Sequence, residues 1–393
     1  MSFAARLRAL MTARGTGVRA LARAVPCDPA LISRLASGKQ HPSREIAQRL
    51  DDVLQAGDEL VKLASRQAGE LAAVPGDTAG DEIAALELAR RAAASDVGAA
   101  VVERLELAVD ELAVAYPGTA PAELLARANT YLSYISRLID ARATLREHQR
   151  LLVSGGWLSL LAATCLIDLH RDHAAAAHLR TAAQLAHETG HAELAAWCLE
   201  TRAWQVLTAG DYQRAARLAQ AGQRLAPHGS SAHIQATAQE GRAWARLKAP
   251  ARTRGALARV ERLVAPLTMP DTPEHHYRYD PAKSQAYMAT TLSWLGDPAA
   301  EGYARQVLAR LESSADGPPR PRRAASARLD LSLALVSAGR HDEATGTALE
   351  AITSGRLVPS NYWRAREVIQ AVAERGVPEA AVLDEAYREA CGA

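Results

Sequence analysis

The chain is short of several residue types at once. Its 393 residues include one phenylalanine, four lysines, two asparagines and four cysteines. Cys27, Cys165, Cys198 and Cys391 lie far apart, with no CxxC and no histidine at ligand spacing. No zinc module is therefore written in the sequence, and so few scattered thiols fit a reducing, cytoplasmic setting. The early arginines are not followed by an apolar segment, which argues against a secretory signal. By inspection no apolar run reaches the roughly 18–20 residues of a membrane span, so no membrane partner is expected. A Gly-rich phosphate loop, a nucleophile elbow and an HExxH pair are also missing, and Gly15-Thr16-Gly17 is too short for a dinucleotide fingerprint. The chain is expected to be no enzyme, with no cofactor and no metal.

What is abundant is alanine, 86 residues, with 42 arginines. Alanine is the strongest helix former, so an all-α chain is expected. A hydrophobic share of 48% with 23% charged residues excludes a disordered or collagenous chain. The net charge of +2 conceals an asymmetry. Residues 1–50 hold nine Lys/Arg against two acids, while the remainder is mildly acidic. A basic head of this kind points to a polyanionic partner for that segment.

Spacing divides the head into short helices. Phe3, Leu7 and Leu10 recur at helical intervals, and Gly15 and Gly17 interrupt them. Val18, Leu21, Ala22 and Val25 form a second set, followed by a turn at Pro26-Cys27. Asp28-Pro29 opens a third helix, since Asp caps well and Pro is tolerated at the first helical position. Gly38 closes it. Pro42-Ser43 begins a fourth, with Ile46, Leu50, Val53 and Leu54 on one face. The organisation expected is a first domain at 1–65, a Gly/Ala/Asp-rich linker at 66–81 and a helical remainder at 82–393.

From Arg6 to Ser43 the order Gly15, Leu21-Ala22, Asp28, Leu31-Ile32-Ser33-Arg34, Gly38-Lys39 and Pro42-Ser43 runs without a gap. In this it resembles the XRE (Cro/phage-repressor type) helix-turn-helix. The resemblance implies a recognition helix over 28–37, able to enter a major groove about 12 Å wide. Pro29, Ala30, Ser33 and Arg34 would meet base edges. Arg19, Lys39, His41 and Arg44 would meet phosphates, which position without specifying. The chain departs from the family at Val18, where Gln is common, and at Pro29, where a polar residue is frequent. Arg34 has a second reading, as a structural partner of Glu45 or Asp51.

Beyond residue 82 the sequence repeats itself. Glu200-Thr-Arg-Ala-Trp204-Gln-Val-Leu207 returns as Glu240-Gly-Arg-Ala-Trp244-Ala-Arg-Leu247, 40 residues later. Weaker copies lie around His170–Ala176, Leu295–Pro298, Ala338–Ala344 and Gly376–Ala380. Residues 150–391 resemble tetratricopeptide-type repeats, and the whole resembles bacterial XRE regulators with a tetratricopeptide sensor region. The fold expected is thus a helix-turn-helix domain followed by an α-solenoid of tetratricopeptide-like helix pairs.

In such repeats the first helix of each pair lines a concave groove. That places Trp197, Glu200, Trp204 and Thr208 there, followed by Thr237, Glu240, Trp244 and Lys248. Two Trp and two Glu would make an aromatic, acidic wall suited to a cationic or amphipathic ligand. The other reading has Trp204 and Trp244 filling the core between helices. The stretch from Pro273 to Pro281, with Tyr277, Arg278 and Tyr279, interrupts the repeats and either contacts a ligand or packs as a loop. Its adjacent histidines, His275 and His276, make a poor metal motif. The resemblance implies a homodimer that binds double-stranded DNA to regulate transcription, with a small-molecule or peptide effector. The alternative is a tetratricopeptide interaction scaffold whose N-terminal module holds a protein partner.

Overall fold

The computed structural model describes residues 2–71, 93–270, 275–313 and 321–391. All regular structure among them is helical. The chain divides into two compact units, Met1–Ala93 and Ala94–Ala393. Residues 66–71 of the expected linker continue a helix, and the rest of that linker lies outside the described residues.

The first unit is built from α1 (Phe3–Ala13), α2 (Val18–Ala24), α3 (Pro29–Ala36), α4 (Arg44–Leu54) and α5 (Glu59–Leu71). Its boundaries follow from capping chemistry. The Asp28 carboxylate accepts from the Ala30 N–H at 2.9 Å, and Ser43 Oγ accepts from the Ile46 N–H at 3.2 Å. At the end of α3, Gly38 takes φ +74°, and the Lys39 N–H reaches back to the Arg34 carbonyl at 2.9 Å. This is a Schellman closure, which needs a left-handed residue. Leu7, Leu21, Ile32, Leu35, Leu50 and Leu60 meet in a fully buried core. Val53, expected on the apolar face of α4, is 40% exposed, and Ala47 is buried in its place. Positions 47, 50 and 54 share one side of the helix, while 53 falls outside that stripe.

Asp51 is a buried carboxylate within this apolar core. It accepts from the backbone N–H of Asp58 (2.8 Å) and of Leu60 (2.7 Å), binding donors at the start of α5 that have no partner within the helix.

The second unit is a stack of hairpins. Its helices are α6 (Ala99–Ala115), α7 (Pro121–Ile139), α8 (Leu145–Asp168), α9 (Asp172–Glu188), α10 (Ala192–Thr208), α11 (Tyr212–Leu225), α12 (Ser231–Arg246), α13 (Pro250–Val264), α14 (Pro281–Leu295), α15 (Ala299–Ser313), α16 (Pro321–Ser337), α17 (His341–Thr353), α18 (Tyr362–Ala373) and α19 (Ala380–Cys391). The first helix of each pair packs on the first helix of the next, in the series α6, α8, α10, α12, α14, α16 and α18. That series forms an inner row and its partners an outer one, the stacking of an α-solenoid.

Five pairs turn alike, placing one left-handed residue between their helices: His170, Gly210, Lys248, Gly296 and Gly339. Two of these lack glycine's conformational freedom but use their side chains. His170 Nε2 lies 2.7 Å from the Pro359 carbonyl, and Lys248 Nζ donates to the Trp294 carbonyl at 2.6 Å.

One sequence expectation needs correcting. Helix α8 is long and apolar enough to cross a membrane, with a mean hydropathy of 1.7 over its best window. Its uncharged stretch, 151–167, carries Ser, Gly and Thr among the apolar residues. Of that window 83% is buried, because α6, α7, α9 and α10 all pack on α8. Its glycines admit those neighbours: a Cβ on Gly156 would lie 2.5 Å from Leu194 Cδ2 of α10.

Candidate functional site

In the first unit, burial sorts α3 into two faces. Ile32 and Leu35 face the core, while Pro29, Ala30, Ser33 and Arg34 are exposed. Arg19, Lys39, His41 and Arg44 are exposed as well. The cations of the head divide by partner. Arg6 is paired with Glu59, Arg8 donates to the Ala36 carbonyl at the end of α3, Arg14 donates to Gln55, and Arg49 is paired with Glu45. Arg19, Arg23, Lys39 and Arg44 make no side-chain hydrogen bond or ion pair among the described residues. Arg23 was not singled out from the sequence, although it follows Arg19 by one helical turn. The suggested pairing of Arg34 with Glu45 or Asp51 is not formed. Arg34 Nε donates to Gln40 Oε1 at 2.7 Å, because Arg49 holds Glu45 and backbone amides hold Asp51.

In the second unit the inner row encloses a groove of about 180 Å³. Trp197, Glu200 and Trp204 of α10 line it, joined by Gln235 and Arg242 of α12 and Tyr287 of α14. Its charged lining comprises three acids, Asp168, Glu200 and Asp330, against the bases Arg242, Lys283, Arg322, Arg323 and Arg364. The groove is cationic rather than acidic.

Two of the acids are held in ion pairs. Arg322 donates to Asp168 at 2.5 Å, and the Tyr116 hydroxyl donates to the same oxygen at 2.9 Å. Arg364 pairs with Asp330, which also accepts from Thr290 Oγ1 at 2.7 Å. The third acid, Glu200, accepts from Gln235 Nε2 at 2.9 Å. Burial pushes its carboxyl up to about 7, against the pull of that hydrogen bond and of Arg242 and Lys283. Lys283 donates to the carbonyls of His275 and His276 (2.8 and 2.7 Å), which draws the loop before α14 against the groove.

Glu240 and Trp244 do not join this lining. Glu240 accepts from Gln220 and Gln223 of α11 and from Trp244 Nε1, and pairs with Arg259 of α13. Burial works to raise its carboxyl, but these bonds together hold it below the ordinary range. The guanidinium of Arg252 lies 4.3 Å above the Trp244 ring. The groove positions of Trp197 and Trp204 are matched on α12 by Gln235 and Arg242, 38 residues on, whereas the sequence copies lie 40 residues apart. A two-residue offset turns a helical side chain by about 200°. The second Glu–Trp copy therefore faces the outer row.

The loop residues are packed. Tyr277 and Tyr279 are each 5% exposed. Tyr277 lies among Trp157 and Trp197, at ring distances of 4.8 and 5.4 Å. Tyr279 stacks near Tyr287, and Arg278 is exposed and pairs with Asp110 at 2.8 Å. Burial, reinforced by Arg278 and Lys283, lowers His275 to about 4, and burial also holds His276 well below the ordinary range. Pro273 and Glu274 lie outside the described residues. Among the described residues no group of three or more His, Cys, Asp or Glu is arranged to hold a metal ion.

Comparison with solved structures finds similarity to the crystal structure of Bacillus thuringiensis PlcR in complex with the peptide PapR7 and DNA. Identity is 12%, with 99% of this chain and 94% of that chain covered, at a TM-score of 0.22. No curated protein sequence matches the chain. A family described as "Helix-turn-helix domain" matches residues 2–64, the stretch that builds α1 to α4 and the first part of α5. Residues 2–64 carry a helix-turn-helix domain.

Proposed function

We propose that the chain is a sequence-specific, DNA-binding transcriptional regulator of the XRE type, acting as a homodimer whose tetratricopeptide-like body senses an effector. One observation carries the DNA reading: α3 has an exposed face, and the segments before and after it in the chain carry Arg19, Lys39 and Arg44, exposed cations with no partner among the described residues. Cations that serve the fold are paired within it, and these are not. In this reading Ser33 and Arg34 donate to base edges, Ala30 and Pro29 supply apolar contact, and Arg19, Arg23, Lys39, His41 and Arg44 hold phosphates. Two half-sites about one helical turn apart, roughly 34 Å, demand a fixed separation of two recognition helices. A ligand that respaces the inner helices of the body acts by altering that separation.

The test is a gel shift on the DNA upstream of the gene, across a salt series, with wild type, Ser33→Ala/Arg34→Ala and Lys39→Ala. The four Lys/Arg contacts per unit, from Arg19, Arg23, Lys39 and Arg44, give a slope of log K against log salt of about −3.6, doubled in a dimer. Lys39→Ala should flatten it by about 0.9 per unit without changing sequence preference. The double variant should lose roughly tenfold or more of its specific affinity. Absent or salt-insensitive binding by a folded chain would overturn the proposal and favour a protein-binding N-terminal module.

A further inference from the structure

We infer that the concave groove binds a small organic monoanion, a carboxylate carried on a planar apolar body. This rests on the effector reading only in calling the ligand an effector. Three independent features point to such a ligand.

The first is charge. Asp168 and Asp330 are committed to Arg322 and Arg364. Arg242 has no carboxylate in ion-pair contact among the described residues. It donates to Gln239 Oε1 at 3.1 Å, and its guanidinium lies 5.1 Å above the Tyr287 ring and 4.9 Å above that of Trp294. A guanidinium without an ion-paired carboxylate, in a lining with more bases than acids, suits an anionic ligand, and its planar fork matches a carboxylate.

The second is the balance of unsatisfied groups. Among the groove residues, Trp197 Nε1, Arg242 Nε and Arg364 Nε are buried donors with no partner among the described residues, and Gln235 Oε1 is the corresponding acceptor. Buried donors are rarely left unpaired, so a surplus of donors calls for a ligand rich in acceptors. The third is the aromatic lining: Trp197, Trp204 and Tyr287 border a space of about 180 Å³.

Glu200 couples this site to pH. Arg242 of α12 and Lys283 of α14 face it, while Asp168 of α8 and Asp330 of α16 stay in their own pairs. A carboxylate bound beside Glu200 favours its protonated form, so binding takes up a proton and tightens as pH falls through about 7.

The experiment uses the full chain without DNA. Calorimetry and thermal shift compare benzoate, phenylacetate and indole-3-acetate with benzamide, phenylacetamide, tryptamine and inorganic phosphate at constant ionic strength. The carboxylates should bind, several-fold tighter at pH 6 than at pH 8. Arg242→Gln should weaken them at least tenfold. Glu200→Gln should bind them without the pH dependence, and this guards against a folding defect in the arginine variant. Equal or tighter binding of the amides or tryptamine, preference for phosphate, or no binding by any of the three acids would each overturn the inference. So would binding confined to peptides with a free C-terminus. Loss of DNA binding with acid binding intact would remove the regulator reading and leave this site standing.

Discussion

The ion pair between Arg322 and Asp168 ties together two stretches of the inner row that lie 154 residues apart in sequence. Its removal tests whether the groove is held closed by charge. Asp168 is 1% exposed, and its oxygen receives both Arg322 and the Tyr116 hydroxyl. Arg322 also donates to the Tyr116 carbonyl at 3.1 Å and lies 4.8 Å above the Tyr116 ring. Arg322→Ala takes an ion-paired guanidinium away from a buried carboxylate, a loss of about 3–5 kcal/mol. For a unit of this size each kcal/mol moves the midpoint by about 2 °C, so the melting transition of the body should fall by roughly 6–10 °C. Asp168→Asn should fall in the same direction. The double variant Arg322→Met/Asp168→Leu, which buries no charge, should recover most of the loss, because replacing both partners avoids the desolvation penalty. Calorimetry compares all four chains. A single variant within about 1 kcal/mol of wild type, or a double variant as unstable as the two singles added, would refute the argument.

Other consequences are equally direct. Asp51→Ala leaves the Asp58 and Leu60 N–H groups without their acceptor, and should destabilise the first unit by about 2–4 kcal/mol in urea titration. Asp51→Asn, which keeps one acceptor, should lose less. Glu200 binds its proton more tightly in the folded chain than in the unfolded one, so its contribution to stability is full below about 4.5 and is lost as pH rises to about 7. Wild type should therefore lose about 2–3 kcal/mol over that interval relative to Glu200→Gln. The comparison with Glu200→Gln is needed because His275 and His276, held neutral by burial, act in the opposite direction as pH falls below about 6.5. Trp244→Ala should leave carboxylate affinity in the groove unchanged, whereas Trp204→Ala should weaken it. Matched losses in calorimetry would contradict the placement of the two indoles on opposite faces.

How far sequence reasoning reaches differs between the two units, for a physical reason. The first unit was legible because its signals are local. Asp28, Gly38 and Ser43 each act on backbone groups within five residues, so capping preferences alone bound α3 and open α4. The exposed face of α3 then follows from two buried neighbours, Ile32 and Leu35. The groove was half legible. Trp197, Glu200 and Trp204 follow from the repeat layout, in which the first helix of each pair lines the groove, and all three do line it. Glu240 and Trp244 were carried there by a 40-residue repeat, yet between Gly210 and Lys248 the hairpin turns recur after 38. Repeat similarity at the level of composition tolerates such an offset, because alanine packs on any side of a helix. A glutamate or tryptophan does not tolerate it, since two residues turn it from the inner row to the outer. The groove's charge was the least legible feature. Arg242, Lys283, Arg322 and Arg364 come from four inner helices spread over more than 120 residues, and each looks like an ordinary surface arginine or lysine until the helices are stacked. The repeat motif drew attention to two glutamates and an acidic wall. Stacking places one of them outside the groove and pushes the other's carboxyl up to about 7, leaving cations to set the character of the site.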